Sequence, residues 1–325
     1  MEPASPAAAS LAPRSAFSAY DERLAAADIY LNQATGCDTA ALSNWSCGLA
    51  CTTVPTVARR VAFNHSSFTM ALVARLSPSE CVLVFRGTKD IWDVLRDVDF
   101  FPKALPDCDG CKVHSGFYNG WASLKSLVVD DLAGLGCGNS SLSITGHSLG
   151  AAMAALAAYE LLTASGVRSS NSSSMRSSVP FASIRRVYTY GQPRTGNGAF
   201  ASSFADRMDA HRIPHFRVVD YRDAVPHLPL HDMLAEGWVH TAPEVYYNHT
   251  QLRDFTLCAR ANDTRCSYQW DLIQTLTHTC DHCSYLGLNP CDCGSAKPQC
   301  MDPKTRGTAR RRGFTHAVAL HNMEP

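Results

Sequence analysis

The sequence predicts an α/β fold built on a central, largely parallel sheet with helices on both faces. Two observations carry this expectation. Short runs rich in β-branched and apolar residues alternate with helical stretches along most of the chain, the order that produces a parallel sheet joined by crossover helices. One of those runs, Ser141–Thr145, passes through Gly-His-Ser-Leu-Gly straight into an Ala-rich helical stretch, so strand, sharp turn and helix follow one another without a linker.

The elements follow in order. Residues 1–18 are Pro/Ala/Ser-rich and are expected to be a flexible N-terminal segment. Ala19–Gln33 sets Leu24, Ala27, Ile29, Tyr30 and Leu31 at near-helical spacing, which predicts an amphipathic first helix. Cys37, Cys47 and Cys51 then fall in a stretch read as a stapled loop. Strands are expected at Phe68–Ala74, Cys81–Phe85, Ser141–Thr145, Arg186–Tyr190 and Phe216–Asp220, with helices at Gly120–Leu132 and Gly150–Thr163. Ala164–Ser178 is Ser/Asn-rich and reads as a surface insertion, not a domain boundary. No internal repeat is visible. One domain over 19–290 is therefore expected, followed by a Cys-containing tail, 291–325, whose Arg310, Arg311 and Arg312 read as a solvated basic end.

Lys plus Arg and Asp plus Glu both number 29, so no global field draws the protein to nucleic acid or an anionic membrane. The 14 cysteines are far more than a reduced cytosolic enzyme carries, and their even number permits complete pairing. Six of the asparagines, Asn44, Asn64, Asn139, Asn171, Asn248 and Asn262, begin Asn-x-Ser/Thr sequons, against about two expected by chance at this Ser/Thr content. Both features point to a secreted, disulfide-bonded glycoprotein. Met1–Ser10 has neither a basic segment nor a sustained apolar one, so no signal peptide is visible. No apolar run reaches the roughly 20 residues that span a bilayer.

Gly146-His147-Ser148-Leu149-Gly150 matches Gly-x-Ser-x-Gly between strand and helix, which marks Ser148 as a nucleophile on a strained turn, with room for no side chain at 146 or 150. The helix beyond it aims N–H groups at charge developing beside the serine. A serine hydroxyl needs a base, and the base an orienting acid; in α/β hydrolases both follow the serine, acid first. Asp223, at the end of the strand in RVVDYRDAVPHLP, is the acid, with Asp220 as the rival. For the base, spacing alone does not choose among eight histidines beyond Asp223; His282, between Cys280 and Cys283 in CDHCSYLG, leads, with His278 and His240 next. His114 and His147 precede the aspartate and read as structural, and Tyr190, Gln192 and Pro193 as shaping the sheet end. Phe100, Phe117, Tyr118 and Trp121 are candidates for an acyl groove or for core.

Together FRGT at 85–88, VHSGFY at 113–118, TGHSLGAAMA at 145–154, YGQPRTGN at 190–197, RDAVPHLP at 222–229 and DHCSYLG at 281–287 resemble the fungal-type class 3 lipases, secreted triacylglycerol lipases with feruloyl esterase relatives. The blocks keep the family order across roughly residues 60–290. The resemblance implies an α/β-hydrolase fold and Ser148, Asp223 and His282 as the triad. It also implies an oxyanion hole from Thr88, by its N–H and hydroxyl, and the N–H of Leu149; losing one such donor typically costs about 10²–10³ in rate. Cys108 and Cys111 in CDGC look like the family's short-loop disulfide. The cysteine content, the long 164–178 stretch and Cys291, Cys293 and Cys300 depart from the family pattern.

Residues 89–98 set Ile91, Val94, Leu95 and Val98 at i, i+3, i+4 and i+7, with charged residues elsewhere. This is a short amphipathic helix, and the resemblance makes it a lid in which Trp92 and that stripe cover the site in water and turn outward at lipid. The expected function is triacylglycerol hydrolysis at an oil–water interface, by a monomer that needs no cofactor or metal and contacts lipid only peripherally. Alternatives are a soluble feruloyl or short-chain esterase, a non-catalytic hydrolase-fold binding protein, and zinc binding by the pairs Cys108/Cys111, Cys280/Cys283 and Cys291/Cys293.

Overall fold

Residues 69–85 build two faces of a sheet at once, because side chains alternate along a strand. In β2, Thr69–Ser77, Met70, Leu72 and Ala74 turn to one side, and in β3, Glu80–Phe85, Val82 and Val84 join them. Ala71, Val73, Cys81, Leu83 and Phe85 turn to the other side. Both faces are buried, so this sheet must be covered twice. In the computed structural model, which describes residues 20–88, 101–166, 183–233, 237–241, 243–248 and 254–293, it is.

The sheet has eight strands. β1, Ala58–Asn64, β2 and β3 form an antiparallel edge. β3 then runs parallel to β6, Ser141–His147, followed by β7, Ser183–Tyr190, β9, His215–Asp220, and β11, Glu244–Tyr247. β12, Phe255–Cys258, closes the other edge antiparallel to β11. A second, antiparallel sheet of four short strands contains β4, Pro102–Ala104, β5, Lys112–His114, β8, Gly196–Asn197, and β10, Trp238–Val239.

One face carries the helices Ser115–Gly134 and Leu149–Gly166. From Ala151 to Leu162 every residue of the latter is buried except Glu160, as a helix apolar all round requires. Trp121 is fully buried in this core, edge-on to Phe85 at 5.7 Å, with its indole N–H donated to Glu160. It therefore belongs to the core, not to a groove. Phe117 is buried too, stacked on His114 at 4.0 Å. Tyr118 is half-buried under the Lys103 ammonium, and Phe100 lies outside the described residues.

The opposite face is covered by the helix Glu22–Thr35, capped by the Asp21 carboxylate, whose Leu31 and Ala34 meet β2 and β3. The segment expected to be a loop after Cys37 instead forms two short helices, Thr39–Asn44 and Leu49–Thr53. The Asp38 side chain caps the first through the Ala41 N–H, and buried Leu42, Ala50 and Val54 complete the core there; tertiary burial decides what local propensity does not.

Disulfides join Cys37–Cys293, Cys47–Cys51, Cys81–Cys137, Cys108–Cys111, Cys258–Cys266 and Cys283–Cys291, and Cys280 is disulfide-bonded as well. The Cys108–Cys111 bridge is the one the resemblance implied. The zinc alternative fails because those cysteines are disulfides, not thiolates. The helix ending at Gly166 runs past Ala164, where the insertion was expected to begin; residues 167–178 of the insertion, residues 1–19, the basic tail and the whole stretch 89–98, with Ile91, Trp92, Val94, Leu95 and Val98, lie outside the described residues. Among the described residues, no helix is long and apolar enough to cross a membrane.

Candidate active site

Register brings the ends of the parallel strands to one level. Phe85 pairs with Gly146, His147 with Tyr190 and Tyr190 with Val218. The segments that leave those ends carry Gly87 and Thr88 after β3, Ser148 after β6, Gly191 after β7 and Asp223 after β9. This carboxyl edge is where an open α/β sheet places its ligand site.

Ser148 sits between β6 and its helix at φ 59°, a left-handed conformation that costs a non-glycine residue energy and persists only where the surroundings enforce it. They do so here. The Ser148 N–H donates to the Tyr190 carbonyl at 2.9 Å, and the Ser148 carbonyl accepts from Ala151 at 2.9 Å. A Cβ on Gly146 would stand 2.2 Å from the Gly150 carbonyl oxygen, and one on Gly150 2.2 Å from that of Phe85. Both glycines of the motif are therefore demanded by backbone approach. Leu149 opens the helix, so its N–H belongs to the first turn, which has no intrahelical acceptor.

Asp223 follows β9 in a turn closed by its own N–H to the Asp220 carbonyl at 3.0 Å. Its carboxylate is fully buried. Oδ1 accepts the Val225 N–H at 2.9 Å, the Tyr285 hydroxyl donates to Oδ2, and His282 Nδ1 lies 3.0 and 2.9 Å from the two oxygens. Burial pushes this carboxyl up, but the His282 charge and these hydrogen bonds outweigh it and hold it below the ordinary aspartate value. A carboxylate in this position fixes His282 with its proton on Nδ1.

Among the described histidines beyond Asp223, His282 is the one that meets it. His240 reaches the Pro226 carbonyl at 2.6 Å, His231 that of Trp238 at 2.9 Å, and His278 lies 3.6 Å from Asp281. Asp220 stays in β9, paired with Tyr247. His282 rides on the short helical turn Thr279–Cys283, which Cys283–Cys291 and Cys37–Cys293 tie to the body of the fold.

Ser148 Oγ, His282 Nε2 and Thr88 Oγ1 are each buried without a hydrogen-bond partner. A Cβ on Gly191, at φ 55°, would stand 2.8 Å from Asp223 Oδ2 and 3.0 Å from His282 Cε1; a Cβ on Gly87, beside Thr88, would stand 3.3 Å from Ser148 Cβ. Gly191 thus lies beside Asp223 and His282, and Gly87, the residue before Thr88, beside Ser148; the anticipated cover, 89–98, lies outside the described residues.

Sequence reasoning missed three neighbours. Tyr285 holds the carboxylate; Gly191 leaves the gap in which carboxylate and imidazole meet; and His147, read as merely structural, packs on His282 with ring centroids 4.4 Å apart. The only available signals were positional: Tyr285 lies three residues beyond His282, Gly191 directly follows a strand, and His147 directly precedes the serine of the motif. Burial pushes the His147 imidazole down to about 3, and the neighbouring His282 adds to this.

The family model described as Lipase (class 3) matches residues 82–233. The chain is 33% identical over 226 residues to a lipase of Rhizomucor miehei, covering 68% of this chain and 56% of that protein. It is 32% identical over 170 residues to a secreted mono- and diacylglycerol lipase of Penicillium cyclopium, covering 52% and 48%. The chain spans about half the length of these relatives. Its fold superposes on a triacylglycerol lipase whose catalytic centre is described as a serine protease triad, with TM-score 0.61 and 27% identity over 85% of this chain and 98% of that one. The architecture is that of the α/β hydrolases.

Proposed function

The chain belongs to the fungal-type class 3 lipase family, and from that premise we propose that it is a secreted serine carboxylester hydrolase acting on acylglycerols, with Ser148, His282 and Asp223 as its triad. The observation that carries the proposal is the buried Asp223–His282 hydrogen bond beside a strained serine. Three residues far apart in sequence converge there with one nucleophilic oxygen and one imidazole nitrogen unspent.

In the proposed reaction Ser148 Oγ attacks the ester carbonyl while His282 Nε2 takes its proton. The oxyanion of the tetrahedral intermediate accepts from the N–H of Leu149 and from the N–H and hydroxyl of Thr88. His282 returns the proton to the leaving alcohol, which departs as the intermediate collapses to an acyl-enzyme. Water, deprotonated by His282, then attacks that ester, and Ser148 recovers its proton as the fatty acid leaves. Asp223 stays ionised throughout and stabilises the imidazolium. The amphipathic pattern of 89–98 supports a lid role for Ile91, Trp92, Val94, Leu95 and Val98 over the proposed site. The disulfides support an extracellular setting, as does a relative named as secreted, and the eight-stranded sheet with β1 at one edge and β12 at the other supports one catalytic domain over 19–290.

A p-nitrophenyl alkylphosphonate tests the assignment, since it reacts with an activated serine and stays attached. Stoichiometric nitrophenol release with the phosphonate on Ser148 is expected. Labelling elsewhere, or none, contradicts it.

A further inference from the structure

His147 ends β6 as the second residue of the serine motif, directly before Ser148, and is 4% exposed. Its Nε2 lies 2.7 Å from the main-chain carbonyl oxygen of His282. A carbonyl only accepts, so His147 carries its proton on Nε2 and donates. Its ring lies against that of His282, tilted by 34°, and against Tyr285 at 5.6 Å, ring to ring. On the far side its own carbonyl and Nδ1 lie 2.9 and 3.5 Å from where a Cβ on Gly87 would stand. His147 is thus wedged between the turn that leads to Thr88 and the face of the His282 ring.

Asp223 grips His282 only at Nδ1, which leaves the ring free to pivot about that bond. A second hold on the main chain, with a flat surface against the ring, removes this freedom. We infer that His147 is a positioning residue for His282: its Nε2–H anchors the main chain at 282 and its ring face sets the plane in which His282 Nε2 meets Ser148. The inference rests on the Ser148–His282–Asp223 reading. Burial keeps His147 neutral, with a folded value of about 3, so it neither loses its donor role nor opposes the imidazolium that forms beside it.

The test measures kcat and KM of the full chain on soluble p-nitrophenyl butyrate for His147→Gln, His147→Asn and His147→Leu. The Gln amide nitrogen reaches about as far as Nε2, whereas that of Asn falls short and Leu has no donor. Expected are a kcat retained in large part by His147→Gln and lowered on the order of 10–100-fold in the other two, with KM little changed, as for a misplaced catalytic group. The downfield proton NMR signal of His282 Nδ1 should shift in His147→Leu and persist in His147→Gln. Wild-type kcat in the Asn and Leu variants overturns the inference, as does a loss equal in all three that follows melting temperature. Should the Leu variant not fold, Gln against Asn decides. Absence of any Ser148-dependent hydrolysis by the wild type overturns the triad reading itself, a different failure.

Discussion

His282 presents Nδ1 to both carboxylate oxygens of Asp223, at 3.0 and 2.9 Å, and neither residue is more than 4% exposed. The pairing leaves Nε2 as the nitrogen of His282 that does not face Asp223, the one to which the proposed reaction gives the role of base. Asp223→Asn replaces an acceptor pair by an amide that can donate to Nδ1 and so favours the wrong tautomer. Turnover on soluble esters should fall on the order of 10⁴-fold, as in the serine protease triad, with an unchanged circular dichroism spectrum. Activity near that of the wild type would remove Asp223 from the site.

The same carboxylate makes a prediction about acid. Its folded value lies below the ordinary 3.8, so the unfolded chain binds a proton first as pH falls. Its contribution to stability is complete above the unfolded value and is lost as pH drops through the folded one. Measured against Asp223→Asn, the wild-type melting temperature should hold a constant offset from about pH 5 to 7 and decline relative to the variant below about pH 4. A relative rise in acid would contradict the hydrogen-bonded, ionised carboxylate.

Gly191 is a separate test of the geometry, because it lies in no proposed chemical role. Gly191→Ala would place a methyl carbon 2.8 Å from Asp223 Oδ2, 2.9 Å from the Tyr285 hydroxyl and 3.0 Å from His282 Cε1, at a φ that disfavours any side chain. Carboxylate and imidazole must part. A fall in kcat of about 10²-fold is expected, larger than the accompanying loss of stability explains, and read by comparing kcat with melting temperature. Full activity would mean that the gap is not needed.

Cys81 and Cys137 are 56 residues apart in sequence and join β3 to the segment preceding β6. Closing a loop of that length in the unfolded chain corresponds to about 4 kcal/mol in the entropic account. Replacing both by Ala should lower the unfolding free energy by roughly 2–4 kcal/mol in urea melts, with kcat on soluble esters retained below the transition. A loss confined to activity would point to a role at the site instead.

The parallel sheet was legible because its central strands are buried on both faces and so are rich in apolar and β-branched residues: Cys81–Phe85 is apolar throughout, Phe216–Asp220 keeps Phe216, Val218 and Val219 around Arg217, and both lie within the observed strands. β1 escaped notice because Arg59 and Arg60 interrupt its pattern at an edge where polar side chains reach water. The two- and three-residue strands of the second sheet are too short for any period to show. Ser148 could be read from its motif, since the chemistry and the close backbone approach demand those neighbours at fixed spacing. Asp223 lay at a strand end, which topology favours. His282 was one histidine among eight, led them by its place between two cysteines, and was singled out by resemblance; its partnership with Asp223 is a contact across 59 residues that spacing cannot show. Gly191 and His147 were illegible for the same reason, because what each does depends on atoms that only folding brings near.

The most direct test of the account is the rate of hydrolysis against triglyceride concentration, taken through the solubility limit, for the wild type and Ser148→Ala in parallel. A rate that depends on Ser148 and climbs steeply once droplets form is the predicted result, uniting the serine nucleophile with a cover that opens at lipid. Saturation below the solubility limit would contradict the lidded lipase and leave a soluble esterase; equal rates with and without Ser148 would contradict the catalytic site itself.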